Sequence, residues 1–236
     1  MLRYKTRILI LLLCASLPLL GQSKKPRNLV TFDYQPFHFG YSVGLFTMHY
    51  HMSPPAGSDY LLAVKMHPGI NLNLITNFRL NNNLDLRFLP GMQFGQRDVT
   101  VIDKSSSTPT PPFSIDGVFI DLPFLLKYRS ERVNNFAPYL IAGINPRVDL
   151  LGSRLEGFTR GERLSKAIDV YPELGVGIDF YLQKVKVAAE LKFSVGTFNV
   201  YNQPDTSDPF SVSYYHFIHG VSTMLSRMVI FAIHVE

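Results

Sequence analysis

Between Ile70 and Phe94 the chain reads INLNLITNFRLNNNLDLRFLPGMQF, and even positions are apolar: Ile70, Leu72, Leu74, Phe78, Leu80, Leu84, Leu86, Phe88, Met92 and Phe94. Odd positions hold Asn71, Asn73, Asn77, Arg79, Asp85, Arg87 and Gln93. A period of two is the signature of strands, because successive side chains point to opposite faces. Asn81-Asn82-Asn83 separates the two runs and predicts a hairpin turn, since short amide side chains tolerate left-handed backbone. One face of this hairpin is apolar and the other is charged. A water-soluble sandwich would turn the apolar face inward onto a second sheet. A closed membrane barrel would turn it outward to lipid and line its lumen with the polar face.

The same alternation recurs along the chain. A first strand is expected over 37–51, where Phe37, Phe39, Tyr41, Val43 and Leu45 alternate with His38, Gly40, Ser42 and Gly44. Another runs from Val118 to Arg129, with Asp121, Lys127 and Arg129 opposite its apolar face. From Phe136 onward Tyr139, Asn145, Arg147 and Asp149 oppose Leu140, Ala142, Ile144 and Val148. A second clean hairpin joins Ile168–Tyr181, carrying Asp169, Glu173 and Asp179, to a strand from Val185 carrying Lys186, Glu190 and Lys192. The last strand spans Arg227 to Val235. Residues 22–36 have no periodicity and read as a loosely ordered lead-in, while 52–65, 95–116, 151–167 and 199–210 carry the Pro, Ser, Asp and charge clusters of loops. Over 211–225, Tyr214, Phe217, Val221 and Leu225 recur at three or four, which favours a short rim helix over an extension of the last strand.

Loop lengths decide between sandwich and barrel. Three tight turns, near 81–83, 130–135 and 182–184, alternate with long connections. That segregation is the layout of an outer-membrane barrel, with short periplasmic turns and long outer loops. The expected fold is therefore all-β, an antiparallel up-and-down transmembrane barrel of about eight strands. At that strand number the interior is just wide enough for side chains to fill, so the charges predict a paired lumen network and poor conduction. Phe78, Phe88, Tyr128, Phe136 and Phe180 lie near turns and would form the aromatic girdle in a chain without Trp.

The N-terminus adds a compartment. Basic MLRYKTR, apolar Ile8 to Leu13 and small Gly21 before polar Gln22 form a secretory signal, so residues 1–21 are expected to be cleaved. The domain organisation is then 1–21 signal, 22–36 periplasmic lead-in and 37–236 barrel. The single cysteine, Cys14, leaves with the signal, which removes disulfides and thiolate metal sites. The formal charge of +5 also vanishes, because Arg3, Lys5, Arg7, Lys24, Lys25 and Arg27 all precede residue 28, leaving 17 basic against 18 acidic residues. No basic patch calls for nucleic acid.

Segments PGINLNLITNFRLNNNLDLRFLPG (68–91), IDLPFLLKYRS (120–130), PYLIAGINPRVDL (138–150), PELGVGIDFYL (172–182) and the ending SRMVIFAIHVE resemble the small outer-membrane barrel family that includes PorT, a component of the type IX secretion system. The resemblance implies a non-enzymatic outer-membrane protein needed for cargo export, with other secretion-system outer-membrane proteins as partners besides lipid. Two other roles stay open: a small structural or adhesive barrel of OmpX or OmpA type, and a lipid-modifying barrel enzyme.

The residues offer little chemistry. Phosphate loops, zinc-protease helices and nucleophile elbows are missing from the sequence. His49 and His51 share a strand face but have no third ligand in sight, and read as a rim pair. His216, His219, Ser222 and the carboxylate of Glu236 contain the groups of a base, nucleophile and orienting acid, yet Glu236 belongs at the opposite side of the membrane. Glu173 beside Lys192 or Glu190 reads as a lumen ion pair. No catalytic, cofactor-binding or metal residue is assigned, and no cofactor or small-molecule substrate is expected. Function is expected in the long loops, the outer wall or the lead-in.

Overall fold

The computed structural model describes residues 27–55, 57, 59–103, 113–151, 165–202 and 220–236. The signal segment with Cys14, and His216 and His219, lie outside these residues. A short 3-10 helix, Val30–Tyr34, precedes β1 (Phe37–Ser53), β2 (Tyr60–Met66), β3 (Pro68–Arg79), β4 (Leu84–Phe88) and β5 (Gly91–Asp103). There follow β6 (Phe113–Asp121), β7 (Phe124–Arg129), β8 (Phe136–Asp149), β9 (Ile168–Tyr181), β10 (Lys186–Val195) and β11 (Thr223–Val235).

These segments form one closed antiparallel wall. β1 pairs with β11 on one side and β3 on the other, and the ring continues through β4 and β5, then β6 and β7, to β8. It closes through β8–β9, β9–β10 and β10–β11. β2 with β3, β4 with β5, and β6 with β7 are each one wall strand interrupted near Pro68, Pro90 and Pro123, so the eleven segments make the expected eight-stranded barrel. Proline lacks the N–H that a ladder needs, but its carbonyl still accepts. Leu74 N–H donates to Pro90 O at 2.9 Å, Leu89 N–H to Pro123 O at 3.1 Å and Leu122 N–H to Pro146 O at 3.0 Å, which carries the wall across the interruptions. Lumen amides complete the repair, with Asn73 Nδ2 donating to Leu89 O at 3.2 Å and Leu122 N–H also reaching Asn145 Oδ1 at 3.1 Å.

The outward face is apolar on every side: Leu72, Leu74, Phe124, Leu126, Leu140, Leu174, Val176, Phe193 and Phe231 are exposed. Soluble monomers do not carry a continuous apolar belt of this kind, and it matches the hydrocarbon of a bilayer. Tyr128 and Phe180 stand at its turn end, and Phe37 packs on Phe78 with ring centroids 4.9 Å apart.

Four expectations need correction. Of the loop expected over 52–65, residues Tyr60–Met66 form β2, and of that expected over 95–116, β5 continues to Asp103 and β6 begins at Phe113. Their alternation is blurred because these parts stand beyond the lipid, where the outward face need not be apolar. The rim helix over 211–225 falls mostly outside the described residues, but Thr223–Leu225 is strand, paired with His51–Ser53 of β1, where cross-strand hydrogen bonds outweigh a local spacing of three or four. The lead-in is ordered from residue 27: its helix lies across the turn end of the barrel.

Candidate functional site: a filled lumen and its two ends

Inward positions carry the charges that alternation assigned to them. Asp85, Arg87, Asp121, Lys127, Arg129, Arg147, Asp149, Asp169, Glu173, Asp179, Lys186, Glu190 and Lys192 are all buried. Near the turn end Arg87 Nη1 donates to Glu190 Oε2 at 2.9 Å and Nη2 to Glu236 Oε1 at 3.3 Å. Lys186 meets Glu236 at 2.8 Å, Lys127 meets Asp179 at 2.7 Å, and Tyr139 Oη donates to Glu190 at 2.8 Å. His234 Nε2 lies 3.2 Å from Glu190 Oε2. Arg87 and Asp85 share a face without pairing; Asp85 instead accepts from Arg79 Nε at 3.3 Å, because the side chains reach across the lumen and not along the strand.

Above this cluster the inward positions of β7 and β8 turn apolar at Leu125 and Ile141, which join Ile75, Leu89 and Ala188 in a dry layer. A second charged layer follows. Glu173 accepts from Asn145 at 2.9 Å, Ser194 at 3.2 Å and Lys192 at 3.3 Å, and Arg147 Nε donates to Asp121 at 2.5 Å. The ions named in these two layers thus have partners, as a low-dielectric interior requires. Tyr139 spans the lumen because Gly177 faces it: a Cβ there would overlap the ring. The side chains fill the bore in alternating ionic and apolar layers.

The turn end is closed by the lead-in. Phe32 stacks on the His38 ring with centroids 3.9 Å apart, and neither nitrogen of His38 has a protein hydrogen-bond partner. Asp33 bridges Arg129 at 3.2 Å and Arg132 at 2.9 Å, while its carbonyl accepts from Arg79. Asn28 N–H donates to Asn135 Oδ1 at 2.9 Å and its amide to Tyr181 O at 3.0 Å. A polar cleft of about 300 Å³ remains between this segment and the turns, lined by Arg27, Asp33, Asn82, Arg129, Glu131 and Arg132. Asp33 and Arg132 carried no signal in the sequence, since neither lies in a periodic stretch, and the alternation that turns His38 inward does not announce Phe32 as its partner.

The loop end is built differently. Tyr50, Val99, Val101, Ile115, Val200, Tyr201, Val221 and Met224 form an apolar core inside the barrel, with Met52, Tyr60, Leu62 and Val64 packed against it. Below it Arg97, buried in a stretch expected to be loop, lies over the Tyr50 ring at 3.9 Å. On the outside of this extension Asp98 accepts from Ser114 Oγ at 2.6 Å and pairs with His67 at 2.8 Å; these hydrogen bonds, Ser114 first, hold its carboxyl below the usual range.

Among the described residues, the groups considered for chemistry from the sequence stand apart, and His216 and His219 lie outside them. His49 and His51 are on the outer rim, His49 opposite Arg227 of β11, and among the described residues no three His, Cys, Asp or Glu converge as a metal site. Ser222 pairs with Ser53 at the loop end, whereas Glu236 is in the ionic cluster at the other. Glu173 and Glu190 have separate cationic partners. On the outer wall, small Ala142 sits among Leu126, Tyr128, Leu140, Leu174 and Phe193 and leaves a shallow apolar groove of about 450 Å³ facing lipid.

Several solved structures are similar to this chain. Neisserial surface protein A is 14% identical over 85% of this chain and 99% of that one, with a TM-score of 0.45. The outer membrane protein OprG from Pseudomonas aeruginosa is 11% identical over 84% and 92%, with a TM-score of 0.46. The N-terminal beta-barrel domain of Pseudomonas aeruginosa OprF is 10% identical over 83% and 96%, with a TM-score of 0.38. A search of curated proteins found no match. The family model for the outer membrane protein beta-barrel domain matches residues 21–202, and with the closed ring, the apolar outer wall and the charged lumen, this chain belongs to that outer-membrane β-barrel family.

Proposed function

We propose that this barrel is a non-enzymatic docking or assembly factor for protein export across the outer membrane, in the type IX secretion role that its resemblance to the PorT-containing family implies. The filled lumen is the observation that supports this reading most. Fully buried Arg87, Lys127, Arg147, Lys186, Glu190 and Glu236 leave no conduit for cargo, so the working surfaces are the two ends and the outer wall. Other secretion-system outer-membrane proteins are the partners this role requires, alongside lipid.

Deleting the gene should leave cargo inside the cell, and restoring the wild-type chain should return export. Planar-bilayer recording of the purified barrel should show no large, stable channels, because ion pairs and dry layers replace the water column. The ordered extension of β2, β5 and β6 beyond the membrane favours a second reading, a structural or adhesive barrel. Unchanged export with altered surface binding in the deletion strain would select it.

A further inference from the structure

The wall is not closed along its whole height. β1 and β3 stay paired up to Thr47 and Pro68, but above that level, among the described residues, β1 (Met48–Ser53) pairs with β11 alone and Leu61–Met66 of β2 with β5 alone. A bulge causes the split. His67 N–H donates to Gln96 O, and three residues on Ile70 stands opposite Phe94, so one extra residue lies on the β2–β3 side. An inserted residue bends and twists its strand.

Hydrogen-bond alternation shows which groups face the gap. With His67 bonded to β5, the odd residues Leu61, Ala63 and Lys65 direct their backbone groups to β5, and Leu62, Val64 and Met66 direct theirs to the open side. On β1, Arg79 N–H donates to Pro36 O, so even residues face the β3 side, and Met48, Tyr50 and Met52 face the gap. Among the described residues, two strand edges, Met48–Met52 and Leu62–Met66, therefore face one another without a ladder between them. The side chains of Tyr50, Met52, Leu62 and Val64 form an apolar floor on the core beneath. Lys65 is the only charge in β2, whereas edges left open in soluble proteins are blunted by several charges, proline or a covering segment.

We propose that the β2 edge is a strand-addition site for an extended segment of a partner polypeptide, with alternate apolar side chains on the core and polar ones to solvent. An extended backbone is the ligand that satisfies a row of alternating N–H and C=O groups. A second copy does not fit symmetrically. Two copies in one membrane run their β2 strands in the same direction, and a two-fold axis along them would set N–H against N–H. The inference rests on the ladder geometry and stands whether or not the barrel serves export.

The test is photo-cross-linking from p-benzoylphenylalanine at exposed Leu61 in intact outer membranes of the native host. The expected product is one adduct with a second polypeptide, mapped by mass spectrometry to an extended segment of alternating polarity. Val64→Pro removes an edge N–H and leaves the β5 ladder at Ala63 and Lys65, so the yield should fall roughly tenfold or more while heat-modifiable migration stays normal. Met66→Pro serves the same purpose if Val64→Pro fails to insert. In the purified barrel the amides of Leu62, Val64 and Met66 should exchange roughly tenfold or more faster than those of Ala63 and Lys65. Adducts with a second copy or with lipid alone, no adduct, an unchanged yield in both proline variants, or equal amide protection would each overturn the proposal.

Discussion

The turn end of this barrel is sealed by charge and the loop end by apolar side chains. At the first, short turns leave arginines at the mouth, and a segment from outside the wall brings Asp33 to them. At the second, strands outrun the membrane and bury Val99, Val101 and Ile115 against one another. The difference follows from what each end must satisfy. A bore only eight strands wide forces long basic side chains into a dry space where every charge needs a partner. Beyond the lipid the outer face is wet, so the inner face can become an ordinary apolar core.

The comparison can be broken from either side. Arg87→Ala should have the largest effect, because Glu190 and Glu236 would remain buried without their shared cation. A loss of about 3–5 kcal/mol is expected in denaturant unfolding from lipid vesicles. Val99→Ala should cost about 2 kcal/mol through a cavity in the loop-end core, with faster amide exchange there and unchanged protection around Lys127 and Asp179. If both ends loosen together, they are one cooperative unit.

Asp33→Asn should cost about 1 kcal/mol or less, since its ion pairs are partly exposed, and should free residues 28–35 to limited proteolysis. High salt should mimic that substitution while leaving the Val99 region unaffected, as screening reaches exposed pairs and not apolar contacts. The smallest effect belongs to Asp98. Its carboxyl is depressed by Ser114 and His67, so its contribution is present above the unfolded value of about 3.9 and is lost as pH falls through the folded one. Amide protection factors across β2, β5 and β6, corrected for the intrinsic pH dependence of exchange, should fall only a few-fold between neutral pH and pH 3.

Much of the wall is legible in the alternation alone. Period-two runs place Leu72, Leu126, Leu174 and Phe231 outward and Arg87, Lys127, Glu173 and Lys192 inward, because a strand in a membrane has two solvents and must sort its side chains between them. Where that constraint stops, the pattern stops with it. Tyr60–Met66 and Gly95–Asp103 lie beyond the bilayer and carry the composition of loops, which hides Arg97 among them. Residues 27–36 have no period, and nothing local announces that Phe32 will stack on His38 or that Asp33 will find Arg129 and Arg132 about a hundred residues away.

The sequence by itself determined the fold class, the sidedness of each wall strand and the presence of a charged bore. Alternation is a local property that each strand must obey against lipid, whatever its neighbours. Only the tertiary structure decided the rest: that Arg87 joins Glu190 and Glu236 and not Asp85, that the N-terminal segment seals one mouth, and that a single extra residue near Pro68 opens the wall between β1 and β2. Those outcomes depend on ring closure and register. Closure brings together side chains whose separation along the chain says nothing about their distance in space.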